Sequence, residues 1–258
     1  MVNGQTMGVY PAAKALLSAV YEGALVPFDT ALKIEARQFT SVIMDPSSSN
    51  MIRSLFLSKG ALDKGAVRPK DISDQSVRKL GILGAGMMGA GIALVSAEAG
   101  IEVVLIDQTQ EAADKGKAYV AGYCDKGIAR RKSTPEHKEA LLSRINATPN
   151  HQALIDCDLI VEAVFEDPNI KAEVTRQVEA VIGPDCIFAS NTSTLPITEL
   201  AKASARPDQF IGIHFFSPVE KMALVEIIKG AETGTRAVAK ALDFARQIRK
   251  TPIVVNDA

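Results

Sequence analysis

The sequence predicts an α/β chain built on a Rossmann-type, doubly wound and mainly parallel sheet, preceded by a helical linker segment. Three observations carry that expectation. From Val77 onward, short apolar runs alternate with amphipathic stretches of helical length, the pattern of a parallel sheet with crossover helices. The first run leads into "GILGAGMMGAG", a G-x-G-x-x-G turn that opens a helix, and the second ends in an acid, Asp107. Composition fits a sizeable core, with 258 residues, 47% hydrophobic and 23% charged.

Residues 1–75 read differently from the rest. "YPAAKALLSAVYEGALVPFDTALKIEARQFTSVI" has apolar positions at helical spacing. "MDPSSSNMIRSLFLSKGALDKG" is expected to give a turn-rich break and then a short amphipathic helix. "AVRPKDISDQS", polar and containing Pro69, reads as a linker, which puts the domain boundary between residues 75 and 76. In the second part "RKLGILG" is a strand, "GMMGAGIALVSAEAG" a helix closed by Gly100, and "IEVVLID" the next strand. A charged helical region then runs from about Gln110 to Arg144. "CDLIVEAV" (157–164) follows as a strand, "NIKAEVTRQVEAVI" as a helix ending at Gly183, and "CIFASN" as a strand. "PITELAKAS" is a short helix. "QFIGIHFF", "MALVEIIK" and "TPIVVN" are the last strands, with "TGTRAVAKALDFARQIRK" a helix before the final one.

Bulk properties exclude several classes. A net charge of −1 argues against nucleic acid or a membrane surface as partner. No apolar run approaches the ~20 residues of a membrane span, and the start lacks the order of a signal peptide. Cys124, Cys157 and Cys186 lack metal-ligand spacing and read as core residues or ordinary thiols of a reducing compartment, so no metal and a cytoplasmic location are expected.

The glycine turn gains its meaning from its surroundings. Gly84 permits the tight turn, Gly86 lets the backbone approach a pyrophosphate, and Gly89 lets the helix pack closely on the strand. The helix start supplies unpaired N–H groups and a positive dipole end. Asp107, placed near the expected spacing beyond Gly89, would accept hydrogen bonds from both adenine-side ribose hydroxyls; its charge favours NAD over NADP. The competing reading is a glycine turn that only lets a helix pack on a sheet.

Further on, Asn191 and Ser193 sit at a strand end in "SNTSTLPI", where an open α/β sheet offers its ligand crevice, although a helix N-cap or Asx turn before "PITEL" explains them equally. His214 and Glu226 are ionisable groups in two apolar runs, "FIGIHFF" and "ALVEII". A hairpin turning at about Val219–Glu220 pairs residues whose numbers sum to about 439, which sets His214 opposite or nearly opposite Glu226. A glutamate beside a histidine in a dry site fixes its tautomer, as a general base accepting an alcohol proton requires. A structural ion pair is the alternative, and the upstream dinucleotide site favours catalysis.

Together "LGAGMMGAGIA", "IVEAVFEDPNIK", "FASNTSTLPI", "GIHFFSPVEKMALVEII" and "KTPIVVND" resemble the L-3-hydroxyacyl-CoA dehydrogenases of fatty-acid β-oxidation, in particular the dehydrogenase part of the bacterial multifunctional α subunit. The resemblance covers about residues 77–258; residues 1–75 look like the end of an enoyl-CoA hydratase part and its linker helix. It implies oxidation of an L-3-hydroxyacyl-CoA to a 3-oxoacyl-CoA by NAD, with His214 as base, Glu226 orienting it, and Ser193 hydrogen-bonding the substrate oxygen. Glu166 and Lys171 would lie near the nicotinamide ribose. The implied cofactor set is Gly84, Gly86, Met87, Met88, Gly89, Asp107, Gln108, Glu166, Lys171 and Asn191. The basic cluster Lys126, Arg130, Arg131 and Lys132 is either a solvated helix face, the preferred reading, or a contact for CoA phosphates. A homodimer or a complex with a thiolase subunit would be the partners. The family continues past "VVND" into a helical domain that closes over the substrate, so this chain is expected to be a fragment, cut at both ends, that binds NAD with weak or no turnover and no hydratase activity. Two other readings are an NAD-binding module without catalysis and a dehydrogenase of a small hydroxy acid without CoA.

Overall fold

The computed structural model describes residues 2–257. The chain forms two compact units, one up to Lys64 and one from Gly65 onward. In the first, helices α1 (Val2–Thr6), α2 (Pro11–Gly23) and α3 (Phe28–Met44) are followed by α4 (Pro46–Met51), a π-helical stretch (Ile52–Ser58) and α5 (Lys59–Asp63). Glu22 ties α2 to α3 by accepting from Arg37 at 2.7 Å and Gln38 at 3.3 Å. The expected turn-rich break shrinks to Asp45. Its carboxylate accepts from Ser47 N at 2.8 Å and Pro46 takes the first helical position, so the helix restarts at once through "PSSSNM".

The second unit contains an eight-stranded sheet made of β1 (Lys79–Leu83), β2 (Glu102–Ile106), β3 (Ile145–Thr148), β4 (Leu159–Glu162), β5 (Ile187–Ser190), β6 (Phe210–Phe215), β7 (Leu224–Lys229) and β8 (Thr251–Asn256). Its order is β3-β2-β1-β4-β5-β6-β7-β8, and every neighbouring pair is parallel except β6–β7. The helices are α6 (Met87–Glu98), α7 (Gln110–Ala129), α8 (Pro135–Ser143), α9 (Pro168–Glu179), α10 (Ile197–Ala201) and α11 (Thr235–Gln247). Central strands are buried on both faces, which is why "KLGIL", "LIVE" and "IFAS" read as continuous apolar runs. Helix α6 is buried from Gly89 to Ala97 and carries no polar face.

One strand is absent from the sequence reading. The region expected to be helical from Gln110 to Arg144 divides at Thr134, whose side chain caps α8, and "INAT" then forms β3 at the sheet edge. Only Ile145 in it is fully buried, so it leaves no apolar run to find. The run "CDLIVEAV" narrows to its four central residues, Leu159–Glu162. Cys157 and Cys186 are buried thiols, pushed up to about 12 by desolvation, and behave as core residues.

The polar segment expected as a linker is part of the second unit, which therefore begins before the boundary expected at residue 75. Arg68 donates to both carboxylate oxygens of Asp243 on α11 at 2.7 Å, and to the carbonyls of Pro69, Ile72 and Ser73. Asp243 also accepts from Gln75 N at 2.9 Å. Gln247 brackets the backbone N–H and C=O of Val77, and β1 starts just after. Burial works against ionised Asp243, yet the Arg68 guanidinium and the Gln75 N–H outweigh it and hold the carboxyl below its ordinary range.

Candidate functional site

The functional residues gather where the parallel strands end. Helix α6 begins at Gly86 with no side-chain cap, so its first-turn N–H groups point outward without an internal acceptor. Gly84 has φ +96°, and a Cβ there would sit 2.6 Å from the Ala163 carbonyl oxygen, so only glycine fits. At Gly89 a Cβ would fall 1.8 Å from the Gly84 oxygen, which makes the close helix–turn approach depend on its absence. A Cβ on Gly86 would enter open space, the space a pyrophosphate needs. Asp107 follows β2; it accepts from Ala85 N and from Gln108 N, both at 2.7 Å, so the acid is fixed against the phosphate turn itself. Each oxygen keeps a lone pair for a ribose hydroxyl. Gly84, Gly86, Met87, Met88, Asp107 and Gln108 all line one cavity of about 990 Å³, whose apolar walls include Ile106, Val164, Ile170 and Val174. An uncapped helix start, an acceptor for ribose and an apolar slot beyond it fit a dinucleotide.

Beyond the turn, β4 ends in Glu162, which is 1% exposed. Its carboxylate accepts from Lys171 Nζ at 2.7 and 3.0 Å, from Ser190 Oγ at 2.7 Å and from Val164 N at 2.8 Å. Lys171, 2% exposed on α9, also reaches Glu166 at 3.1 Å. Glu166 in turn accepts from Thr192 Oγ1 at 2.5 Å and Ser193 N at 3.0 Å. Burial opposes the ionised form of Glu166, but Thr192 and the Lys171 charge outweigh it, leaving its carboxyl below the usual range. Sequence reasoning missed Glu162, although an acid ending the apolar "DLIV" is the same signal that singled out His214.

The third part is the β6–β7 hairpin. Its register pairs His214 directly with Glu226; every pair sums to 440, one more than the expected 439, so the turn is centred on Glu220. His214 Nδ1 lies 2.8 Å from Glu226 Oε2, with the side chains 16% and 29% exposed. With Nδ1–H donating to the carboxylate, Nε2 is left as the basic nitrogen. Asn191 supports this strand: its Oδ1 accepts from Phe215 N at 2.9 Å, just past the last β5–β6 pair. The Asn191 amide oxygen is thereby committed to the backbone of β6. Lys171 likewise faces carboxylates; Lys171, Glu166, Asn191 and His214 lie beyond the lining of the cavity, and Ser193 is exposed at the sheet edge.

Three of the four basic cluster residues, Lys126, Arg130 and Lys132, line a separate cleft of about 870 Å³ with Tyr119, Tyr123 and Glu220. The cleft's other wall is the β6–β7 turn. Lys250 holds that turn by donating to Val219 O at 2.5 Å and Met222 O at 2.7 Å.

The strand order, the uncapped glycine-rich helix and the acid after β2 define the second unit as a Rossmann-type dinucleotide-binding protein. The chain belongs to the 3-hydroxyacyl-CoA dehydrogenase, NAD-binding domain family, which it matches over residues 79–258, and NAD is the cofactor that family binds. It is similar to the fatty acid oxidation complex subunit alpha of Shewanella loihica, 38% identical over 257 residues. The corresponding subunit of Psychrobacter arcticus is 37% identical over 248 residues. These alignments take in 99% and 96% of this chain but 36% and 34% of the relatives, so the chain spans about a third of the length of the curated relatives it matches. Among solved structures it resembles (S)-3-hydroxybutyryl-CoA dehydrogenase from Ralstonia eutropha, with TM-score 0.67, 41% identity, and coverage of 71% of this chain and 65% of that one. The 3-hydroxybutyryl-CoA dehydrogenase of Escherichia coli gives TM-score 0.69 at 31% identity, covering 71% and 39%. No helix among the described residues is long and apolar enough to cross a membrane.

Proposed function

We propose that this chain is the NAD-binding part of an enzyme that oxidises L-3-hydroxyacyl-CoA to 3-oxoacyl-CoA in fatty-acid β-oxidation. The observation that carries the reading is the 2.8 Å His214–Glu226 pair on the same sheet edge as the Gly84–Asp107 cradle. NAD, held by the Gly84–Asp107 cradle, would supply the hydride acceptor for C3 of the substrate. His214 Nε2 takes the hydroxyl proton, and Glu226 holds the ring tautomer and offsets the charge that develops on it. Ser193 donates to the substrate oxygen. The turn N–H groups hold the pyrophosphate, and Asp107 takes the ribose hydroxyls. Lys126, Arg130 and Lys132 form the wall that would meet CoA phosphates.

Residues 1–75 align with the α subunits as well, which supports reading them as the end of a hydratase part with its linker helix. The partners proposed are an acyl-CoA substrate and, through the relatives' standing as subunits of a complex, a thiolase subunit or a second copy; the location is cytoplasmic. The test is NADH titration by fluorescence together with 3-oxoacyl-CoA reduction followed by loss of NADH absorbance. A chain that binds no NADH would sink the reading. NADH binding without turnover would favour a binding module, and turnover only with a short hydroxy acid lacking CoA would change the substrate.

A further inference from the structure

Glu162 touches no part of the proposed cofactor cradle, yet it is a fully buried carboxylate at the sheet edge. Lys171, Ser190 and Val164 donate to it in a site closed to solvent. Two carboxylates, Glu162 and Glu166, share the single Lys171 ammonium. Glu162 takes the shorter contact, so the pair leaves net negative charge on Glu166, the more exposed partner at 36%. Along the sheet edge, Asp107 follows β2, the phosphate turn follows β1, and Glu166 follows β4, with His214 two strands further. A dinucleotide whose adenine ribose meets Asp107 and whose pyrophosphate meets Gly86 extends its nicotinamide half toward β4 and β5, where Glu166 stands.

We infer that Glu162 is a positioning residue for the nicotinamide half of the cofactor: it holds Lys171, Lys171 holds Glu166, and Glu166 is thereby kept as a charged acceptor for the nicotinamide-side ribose while it pins the Thr192 hydroxyl and the Ser193 N–H. This rests on the NAD reading above. Removing the Glu162 charge leaves Lys171 with Glu166 alone. The lysine then moves toward Glu166, neutralises it and shifts the acceptor, while the adenine side, built on Asp107 and the glycine turn, is untouched.

The experiment compares two ligands, NADH and ADP, on the whole chain. In Glu162→Gln, NADH should bind about tenfold more weakly while ADP affinity stays within twofold of wild type. A purely structural role would weaken both ligands together, and that result, or an unchanged NADH affinity, would overturn the inference. If Glu162→Gln fails to fold, Ser190→Ala decides, since it removes one hydrogen bond to Glu162 and leaves the charge. A selective loss of NADH affinity of about threefold supports the relay, and no selective loss overturns it. A wild-type chain that binds neither NADH nor ADP would overturn the cofactor reading itself, and this inference with it.

Discussion

The two halves of the sheet edge use different materials. From β2 to β4 the site is mostly backbone: a turn with φ +96° at Gly84, a helix start without a cap, and one acid that is bonded to the turn. From β4 to β7 it is mostly side chains, with Glu162, Lys171, Glu166, Asn191, His214 and Glu226 joined in pairs at 2.7 to 3.1 Å or to neighbouring backbone. The first half selects a shape and tolerates no added atom at Gly84 or Gly89. The second half sets charge and proton position, and tolerates replacement sterically while losing chemistry. A binding surface for an invariant ligand part can be made of main chain, whereas a reacting centre needs groups that titrate.

That contrast can be broken at either end. The largest effect is expected from His214→Ala in a preparation that shows turnover: kcat should fall about 10²–10⁴-fold with NADH affinity and melting temperature near wild type. An unchanged rate would remove the histidine from the chemistry. Gly89→Ala should act the other way, costing about 3 kcal/mol of stability in urea unfolding and abolishing NADH binding, because its Cβ has no room beside the Gly84 oxygen. Next, Asp107→Ala should weaken NADH and ADP about equally, by roughly tenfold, in fluorescence titration. A null effect there would sink the ribose assignment. The smallest effect lies in acid stability. The Asp243 carboxyl is held below its unfolded value by Arg68, so its contribution is fully present above about pH 4 and is lost as pH falls through the depressed folded value. Asp243→Asn should flatten the unfolding free energy below about pH 4 and lower it by about 1–2 kcal/mol at pH 7.

Much of the fold was legible because local chemistry dictates it. The glycine turn, the central strands and the hairpin register all follow from spacing, and the His214–Glu226 pairing came from arithmetic on residue numbers. What was not legible depends on partners distant in sequence. Strand β3 is defined by β2 beside it and not by "INAT", which has one buried side chain. Lys171 lies on a helix whose pattern says nothing of the buried Glu162, so its pairing with that carboxylate was not legible. Asn191 read as a cofactor ligand or a cap, and its amide oxygen is committed to the backbone beside the histidine. The break at "MDPSSSN" failed for the opposite reason, since Asp45 and Pro46 are as good at starting a helix as at ending one.

The Arg68 clamp bears on where the chain can be cut. A protease given the native protein should spare the irregular residues 66–76, despite their look of a tether, because the carbonyls of Pro69, Ile72 and Ser73 are already engaged by one guanidinium. Cloning boundaries drawn at residue 76 would discard Arg68 and leave the Asp243 carboxylate, 8% exposed, without its counter-ion. A boundary that keeps the nucleotide-binding unit whole falls at Gly65.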